Sequence, residues 1–437
     1  MKHHRLIILL FFAAFLFIGG YLLLSAQGLF FDWQTFRIIK TGGAFISYSP
    51  KDAQLKINGK IQETSSFFLN SGNLIKKLKP GTYELVLIKE GFNDWNKKFE
   101  IKPGLVTEFK KITLIEKETE KETVTFAAVK NFWLTAKGPV YQNVKNQLYF
   151  GDFRLTGETV GAADPRSPLL IIKAGGEFFL TDLNKPKTVI NLTRLFNSLK
   201  QRQLGLPGEV VVQKIFFHPL SKNKIVAATS LAVYEIDLKQ VEIKKLLEAA
   251  PEEIIGVGPK AIFLKGRGGS LRLYDLVLQK ETTKETGLEK IEMLKASAEK
   301  ETFGLIDSQN RFYSYDSGKE KIEELFPGRK FKDFFFSPDG LYLTLVSAEN
   351  DVLTLNLRNG SSAIIDDSPD PNKKIAWLDS LNHYLLVQKN GSLLIQDVFG
   401  LPPFNKYPVL EKISQYETSG RTVYALTTDE VLFRIEF

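Results

Sequence analysis

The sequence predicts an all-β protein behind an apolar N-terminal helix: a transmembrane span, a small β-sandwich, then a seven- or eight-bladed β-propeller. Three observations predict it. An uncharged apolar stretch opens the chain, and short alternating strands between turn residues fill Gly43 to Ile115. Beyond them, a strand pattern returns at a near-constant spacing of about forty residues, the period of propeller blades. At 437 residues the chain is long enough for two or three domains. Its 34 Phe favour the pleated, half-buried surfaces of sheets.

The N-terminal stretch runs from Leu6 to Leu24 without a charge. Nineteen helical residues reach roughly 28 Å, close to the hydrocarbon thickness of a bilayer. Lys2 and Arg5 precede it, which places the N-terminus in the cytoplasm and the remainder outside by the positive-inside rule. Residues 1–30 therefore read as a cytoplasmic stub and a single-pass signal anchor; cleavage after Leu24-Ser25-Ala26 is the competing reading. The chain has no cysteine, so disulfides, thiolate metal sites, a cysteine nucleophile and a lipidated-cysteine anchor are excluded. That absence favours a prokaryotic cell envelope over a eukaryotic secreted protein.

Residues 43–115 read as a strand-rich module. Ala44 to Tyr48 alternates with period two and stops at Ser49-Pro50. Gln54 to Ile57 ends at Asn58-Gly59, the strongest short hairpin signal. Lys79-Pro80-Gly81 turns the chain into Tyr83–Ile88, followed by strands at Lys98–Ile101 and Phe109–Leu114. Such spacing suggests a small sandwich. The run Ser49-Pro50, Ala53, Ile57-Asn58-Gly59-Lys60, Leu78-Lys79-Pro80-Gly81-Thr82-Tyr83 and Lys89-Glu90-Gly91-Phe92 resembles the PEGA domain. Phe92 stands where many members carry Tyr, and the usual Thr-Pro is missing from Glu63 to Asn73. The resemblance implies a small β-sandwich of prokaryotic surface proteins that binds or spaces rather than catalyses.

The module is basic, with 12 Lys against 7 acidic residues between Gly43 and Ile115. Lys76, Lys77, Lys79, Lys97, Lys98, Lys110 and Lys111 are its candidate contacts for anionic wall polymer or lipid headgroups. The bland alternative is a set of solubilising strand-end residues. Residues 116–122, which carry Glu116 through Glu122 without an apolar side chain, read as a charged linker or a charged strand end.

Residues 123–437 carry the repeat. A polar residue closes the pattern at Asp237, Asp275, Asp316, Asn356, Asp397 and Glu436, at successive spacings of 38, 41, 40, 41 and 39. Asp182 and Asp152 extend the series upstream, with a helix inserted over Leu192 to Gln203. Phe336-Ser337-Pro338-Asp339-Gly340 supplies a strand–turn–strand element. With Tyr274-Asp275 it resembles WD-repeat propellers, although the Gly-His signature is absent. The chain ends at a third strand, so Thr123–Val129 is expected to complete the last blade and close the ring.

No catalytic constellation appears. His218 and His383 sit at strand junctions, no His-x-x-x-His pair exists, and no Gly-x-Ser-x-Gly elbow accompanies them. Asp366-Asp367-Ser368-Pro369-Asp370 lacks the glycine and spacing of a calcium loop. Gly266-Arg267-Gly268-Gly269 lacks the following Lys-Ser/Thr of a phosphate loop and reads as a hairpin turn. No metal, cofactor or nucleic-acid partner is expected. The expectation is a membrane-anchored extracytoplasmic scaffold whose propeller meets a protein or glycan partner. An extracytoplasmic propeller enzyme acting on envelope glycans or peptides is the alternative.

Overall fold

The computed structural model describes residues 11–437 except 13, 17, 23–27, 33–35, 63–71, 259, 298–301, 317–320, 369, 379–380, 382 and 401. The expected transmembrane span is not upheld. Among the described residues, no helix is long and apolar enough to cross a membrane. Residues 6–10, 13, 17, 23 and 24 of the expected span lie outside the described residues. The single-pass topology and the extracytoplasmic placement rested on that span and fall with it. The flanking Lys2, His3, His4 and Arg5 lie outside the described residues.

The chain divides into two compact units, residues 1–118 with 396–407, and residues 119–395 with 408–437. In the first, Gly42–Ser49 lies between Asn73–Leu78, antiparallel to it, and Val106–Thr113, parallel to it. A second sheet runs Lys60–Ile61, Gln54–Ile57, Gly81–Ile88, Trp95–Ile101. Asn58 and Gly59 make the hairpin turn with φ of 47° and 75°, the left-handed geometry that asparagine and glycine adopt at least cost. Trp95–Ile101 begins three residues before the expected Lys98 and alternates strictly, burying Trp95, Lys97, Phe99 and Ile101. Trp95, Phe99, Phe109 and Phe399 pack edge to face or tilted at 5.3–6.4 Å between centroids.

The second unit is an all-β propeller. Among the described residues its strands form eight sheets of four, each built from consecutive strands except the last. Blade one runs Val129–Thr135, Gly138–Asn143, Leu148–Phe150, Phe153–Arg154; the first strands of blades two to eight are Thr159–Ala163, Val212–Phe217, Ile254–Val257, Ile291–Ala296, Phe331–Phe336, Lys374–Trp377 and Ile413–Ser419. First strands of adjacent blades pack on one another at most junctions, including that between blades eight and one. They form the inner wall, and the apolar faces of neighbouring sheets fill the spaces between blades. Leu192–Leu204 is helical, capped by Asn191 and ended by left-handed Gly205. It inserts Leu192, Phe196 and Leu199 into the core beside Tyr234.

The last blade takes its outer strand from Lys121–Thr123, earlier than the Thr123–Val129 expected, paired antiparallel to Leu432–Glu436. Val124 still donates to Leu432 O at 2.9 Å, but the chain then leaves the sheet to start blade one at Val129. The charged residues 121 and 122 suit this solvated edge, whereas Val129 and Phe132 are buried in the core between blades eight and one. The seam is also tied from inside: Gln415 Nε2 donates to Phe132 O at 2.7 Å and Leu134 N to Glu417 Oε2 at 2.8 Å. Burial raises the Glu417 carboxyl.

Candidate functional site: the loop face of blades two to five

The polar residue that set the repeat closes the third strand and builds the next turn. Asp237 Oδ1 accepts from Lys239 N and Gln240 N, both at 2.9 Å. Asp275 Oδ1 does the same for Val277 N and Leu278 N at 2.7 and 2.8 Å. These turns are joined to the loops between first and second strands, with Leu238 N donating to Asn223 O and Leu276 N to Lys260 O, both at 2.8 Å. Both loop sets therefore occupy one face of the ring.

On that face the ends of four consecutive first strands diverge around a cleft of about 710 Å3. Its wall is mainly apolar, from Ala162, Phe216, Val257, Leu294 and Ala296, with Arg166 and Lys295 as its cations. Arg166 is fixed at both ends. Its Nε donates to Asp164 Oδ1 at 3.1 Å and its Nη2 to His218 O at 2.7 Å, and Nη1 donates to Pro219 O. Burial pulls the Asp164 carboxyl up, but hydrogen bonds from Ser167 and Arg166 outweigh it and hold the group below the usual carboxylate range. Lys295 Nζ donates to Phe334 O at 2.9 Å, pairs with Asp333 and lies 4.1 Å from the Phe335 ring centroid.

Beneath the loop of blade three, His218 is buried. Its Nδ1 accepts from Leu220 N at 3.1 Å, and its Nε2 lies 3.1 Å from Glu235 Oε2. His218 and Lys224 hold the Glu235 carboxyl down at about 2. The imidazole is thus a loop support; at the corresponding turn of blade six Ser337 Oγ donates to Asp339 Oδ1 at 2.7 Å. A second, smaller cleft of about 430 Å3 lies among blades six to eight, lined in part by Lys332, Lys373 and Lys374. Lys373 and Lys389 pin Asp366 at 2.6 and 3.0 Å, which gives that carboxylate a structural duty. Neither cleft joins a nucleophile to a base; the geometry offers shape, apolar surface and fixed cations, which is binding chemistry.

No protein-family model matches the chain, and no curated protein matches it. It is similar to several solved propellers. BamB from Moraxella catarrhalis is 12% identical, over 73% of this chain and 99% of that one, with a TM-score of 0.47. Hsv2p of Kluyveromyces lactis is 10% identical, over 63% and 97%, with a TM-score of 0.44. The β-propeller domain of Myceliophteria thermophila Cps50 (Swd1) is 10% identical, over 72% and 99%, with a TM-score of 0.40.

The lysines singled out in the sequence belong to the first unit, away from this face in the chain. Lys76, Lys77, Lys110 and Lys111 lie on the two strands flanking Gly42–Ser49, and Lys79 follows the first of these. All five are exposed, as is Lys98 on the other sheet. Lys110 is paired with Glu108 at 2.6 Å. Lys97 is a correction: its side chain has no exposure and lies 3.4 Å from the equally buried Asp397. It cannot meet a polymer in solution. The alternation Trp95, Lys97, Phe99, Ile101 carried that signal, but reading Lys97-Lys98 as a charged pair concealed it. The cleft residues carried no signal of their own, because they converge only through the ring.

Proposed function

We propose that this protein is a protein-interaction scaffold and that the propeller receives its partner on the loop face of blades two to five. The observation that carries the reading is the 710 Å3 cleft, apolar over most of its wall and bordered by two side chains, Arg166 and Lys295, already held in place. Preorganised loops on a closed ring bind without an ordering cost. The first unit is proposed as a PEGA-like spacer over residues 43–115. Support comes from the Ile57-Asn58-Gly59-Lys60 hairpin, where Ile57 pairs with Lys60 and Asn58 Oδ1 accepts from Glu84 N at 2.8 Å. Its exposed lysines Lys76, Lys77, Lys79, Lys98, Lys110 and Lys111 are proposed as a secondary contact for an anionic polymer.

The test is site-specific photo-crosslinking in the producing cell, with the reactive amino acid at Val257 on the cleft or at Val189 on the outer strand of blade two. Covalent protein adducts are expected from position 257 and not from 189. Adducts from 189 alone, or from neither position, overturn the platform reading.

A further inference from the structure

We infer that the loop face over blades three and four docks an acidic segment of a partner protein that also carries a bulky apolar side chain. The inference rests on the platform reading above and narrows it.

The turn after the third strand is built alike in four blades. Asp182 Oδ1 accepts from Asn184 N at 2.9 Å, Asp237 and Asp275 as described, and Asn356 Oδ1 from Arg358 N and Asn359 N at 2.9 and 3.3 Å. The backbone and the capping oxygen hold the turn, so the next side chains have no structural duty. In three blades they are polar: Asn184 and Lys185, Lys239 and Gln240, Arg358 and Asn359. In blade four they are Val277 and Leu278, which are 59% and 74% exposed. Water should favour polar residues there, as it does in the sister blades. Two bare aliphatics at a position that tolerates any residue indicate a surface that is covered when the protein works. Leu220 on the neighbouring loop and Val257 at the cleft rim, 46% and 42% exposed, extend this surface to the cleft.

The exposed charged side chains around it are mostly cationic. Lys222, Lys239 and Lys260 stand exposed on these loops. Among the described residues none of the three has an ion-pair partner. Asp164 is bound to Arg166 and Ser167, and Asp237 and Asp275 cap their turns; Glu242, opposite Asp237, is the exposed carboxylate beside Lys239. An apolar strip bordered by three ammonium groups outside any ion pair complements a segment whose apolar anchor is flanked by Asp or Glu. The apolar contact supplies affinity, and the rim charges select sequence and speed encounter.

The experiment is a random-peptide display selection on the purified full-length protein. Recovered peptides are then titrated by fluorescence anisotropy against wild type, V277S/L278S and K222E/K239E/K260E. All five positions are exposed and leave the turn caps intact, and unchanged thermal midpoints verify the fold. The expected result is enrichment of Asp and Glu around a Leu, Ile, Phe or Trp. Binding should weaken at least tenfold in V277S/L278S, weaken similarly on charge reversal, and decline with salt. Peptides that need Val277 and Leu278 but show no acidic enrichment, or ignore the charge reversal, overturn the inference and leave the platform reading standing. Failure to recover any peptide sensitive to either variant overturns both. Self-association in sedimentation velocity that V277S/L278S abolishes makes a second copy the occupant and overturns the inference.

Discussion

Lys97→Met isolates the cost of a buried charge. In the native first unit the Lys97 ammonium lies 3.4 Å from Asp397 Oδ1, 3.1 Å from Pro403 O and 4.3 Å from the Phe404 ring centroid. Methionine keeps the length and the apolar stem but deletes the charge. Asp397 is then left buried with Asn405 alone, whose Nδ2 donates at 2.6 Å and whose backbone N donates at 3.2 Å. Removing one partner of a buried pair costs about 3–5 kcal/mol. The two surviving hydrogen bonds place the expectation near the lower end, about 3 kcal/mol, or roughly a hundredfold in the local opening equilibrium. Hydrogen exchange read by mass spectrometry over Trp95–Ile101 and residues 396–407, corrected for intrinsic rates, measures that opening. The double variant K97M/D397L should recover most of the loss, because a packed apolar pair avoids the desolvation of both charges. Acid adds a signed check. Burial raises the folded Asp397 carboxyl, so the folded state holds a proton where the unfolded chain has lost it. Stability in K97M therefore rises as pH falls through the raised value. Exchange in K97M within twofold of wild type, or a double variant worse than the single, would refute the reasoning.

Three further outcomes are expected. Glu235, lowered from 4.5 to about 2 by His218 and Lys224, stabilises blade three by about 3 kcal/mol above the unfolded carboxylate range. That contribution is lost as pH falls through about 2, so E235Q should flatten the acid limb of a pH series of urea midpoints, and an unchanged limb would count against it. Val124→Pro removes the 2.9 Å bond to Leu432 O at the ring closure and should cost about 1–3 kcal/mol, read as faster exchange in Ile413–Ser419 and Leu432–Glu436. By contrast R434A, which breaks the exposed pairs with Glu122 at 3.0 Å and Glu436 at 3.1 Å, should cost no more than about 1 kcal/mol. On a heparin column the full chain with Lys76, Lys77, Lys110 and Lys111 changed to Glu should elute at lower salt than wild type, whereas K97M, whose altered group is buried, should elute unchanged; identical elution of the four-site variant removes the polymer contact.

Periodicity and turn chemistry are written locally, and they were legible. The polar residue at 237, 275, 316, 356, 397 and 436 marks the end of a third strand each time, and at 237, 275 and 356 its short side chain accepts from the backbone of the turn that follows. Asn58-Gly59 specifies its hairpin for the same reason: its left-handed angles are a property of two residues. The inserted helix after Asn191 announces itself by its cap. What the chain decides only through its tertiary structure is everything that depends on which distant residues become neighbours. Hydropathy at the N-terminus suggested a span that no helix among the described residues provides. Lys97 became a core residue because Asp397, three hundred positions away, meets it. The outer strand of the last blade fell on Lys121–Thr123 because Val129 onward was required between blades. The cleft exists because four first strands diverge around a ring, and no single strand carries a mark of it. Local geometry is coded in a few adjacent residues, whereas burial and convergence belong to the closed fold.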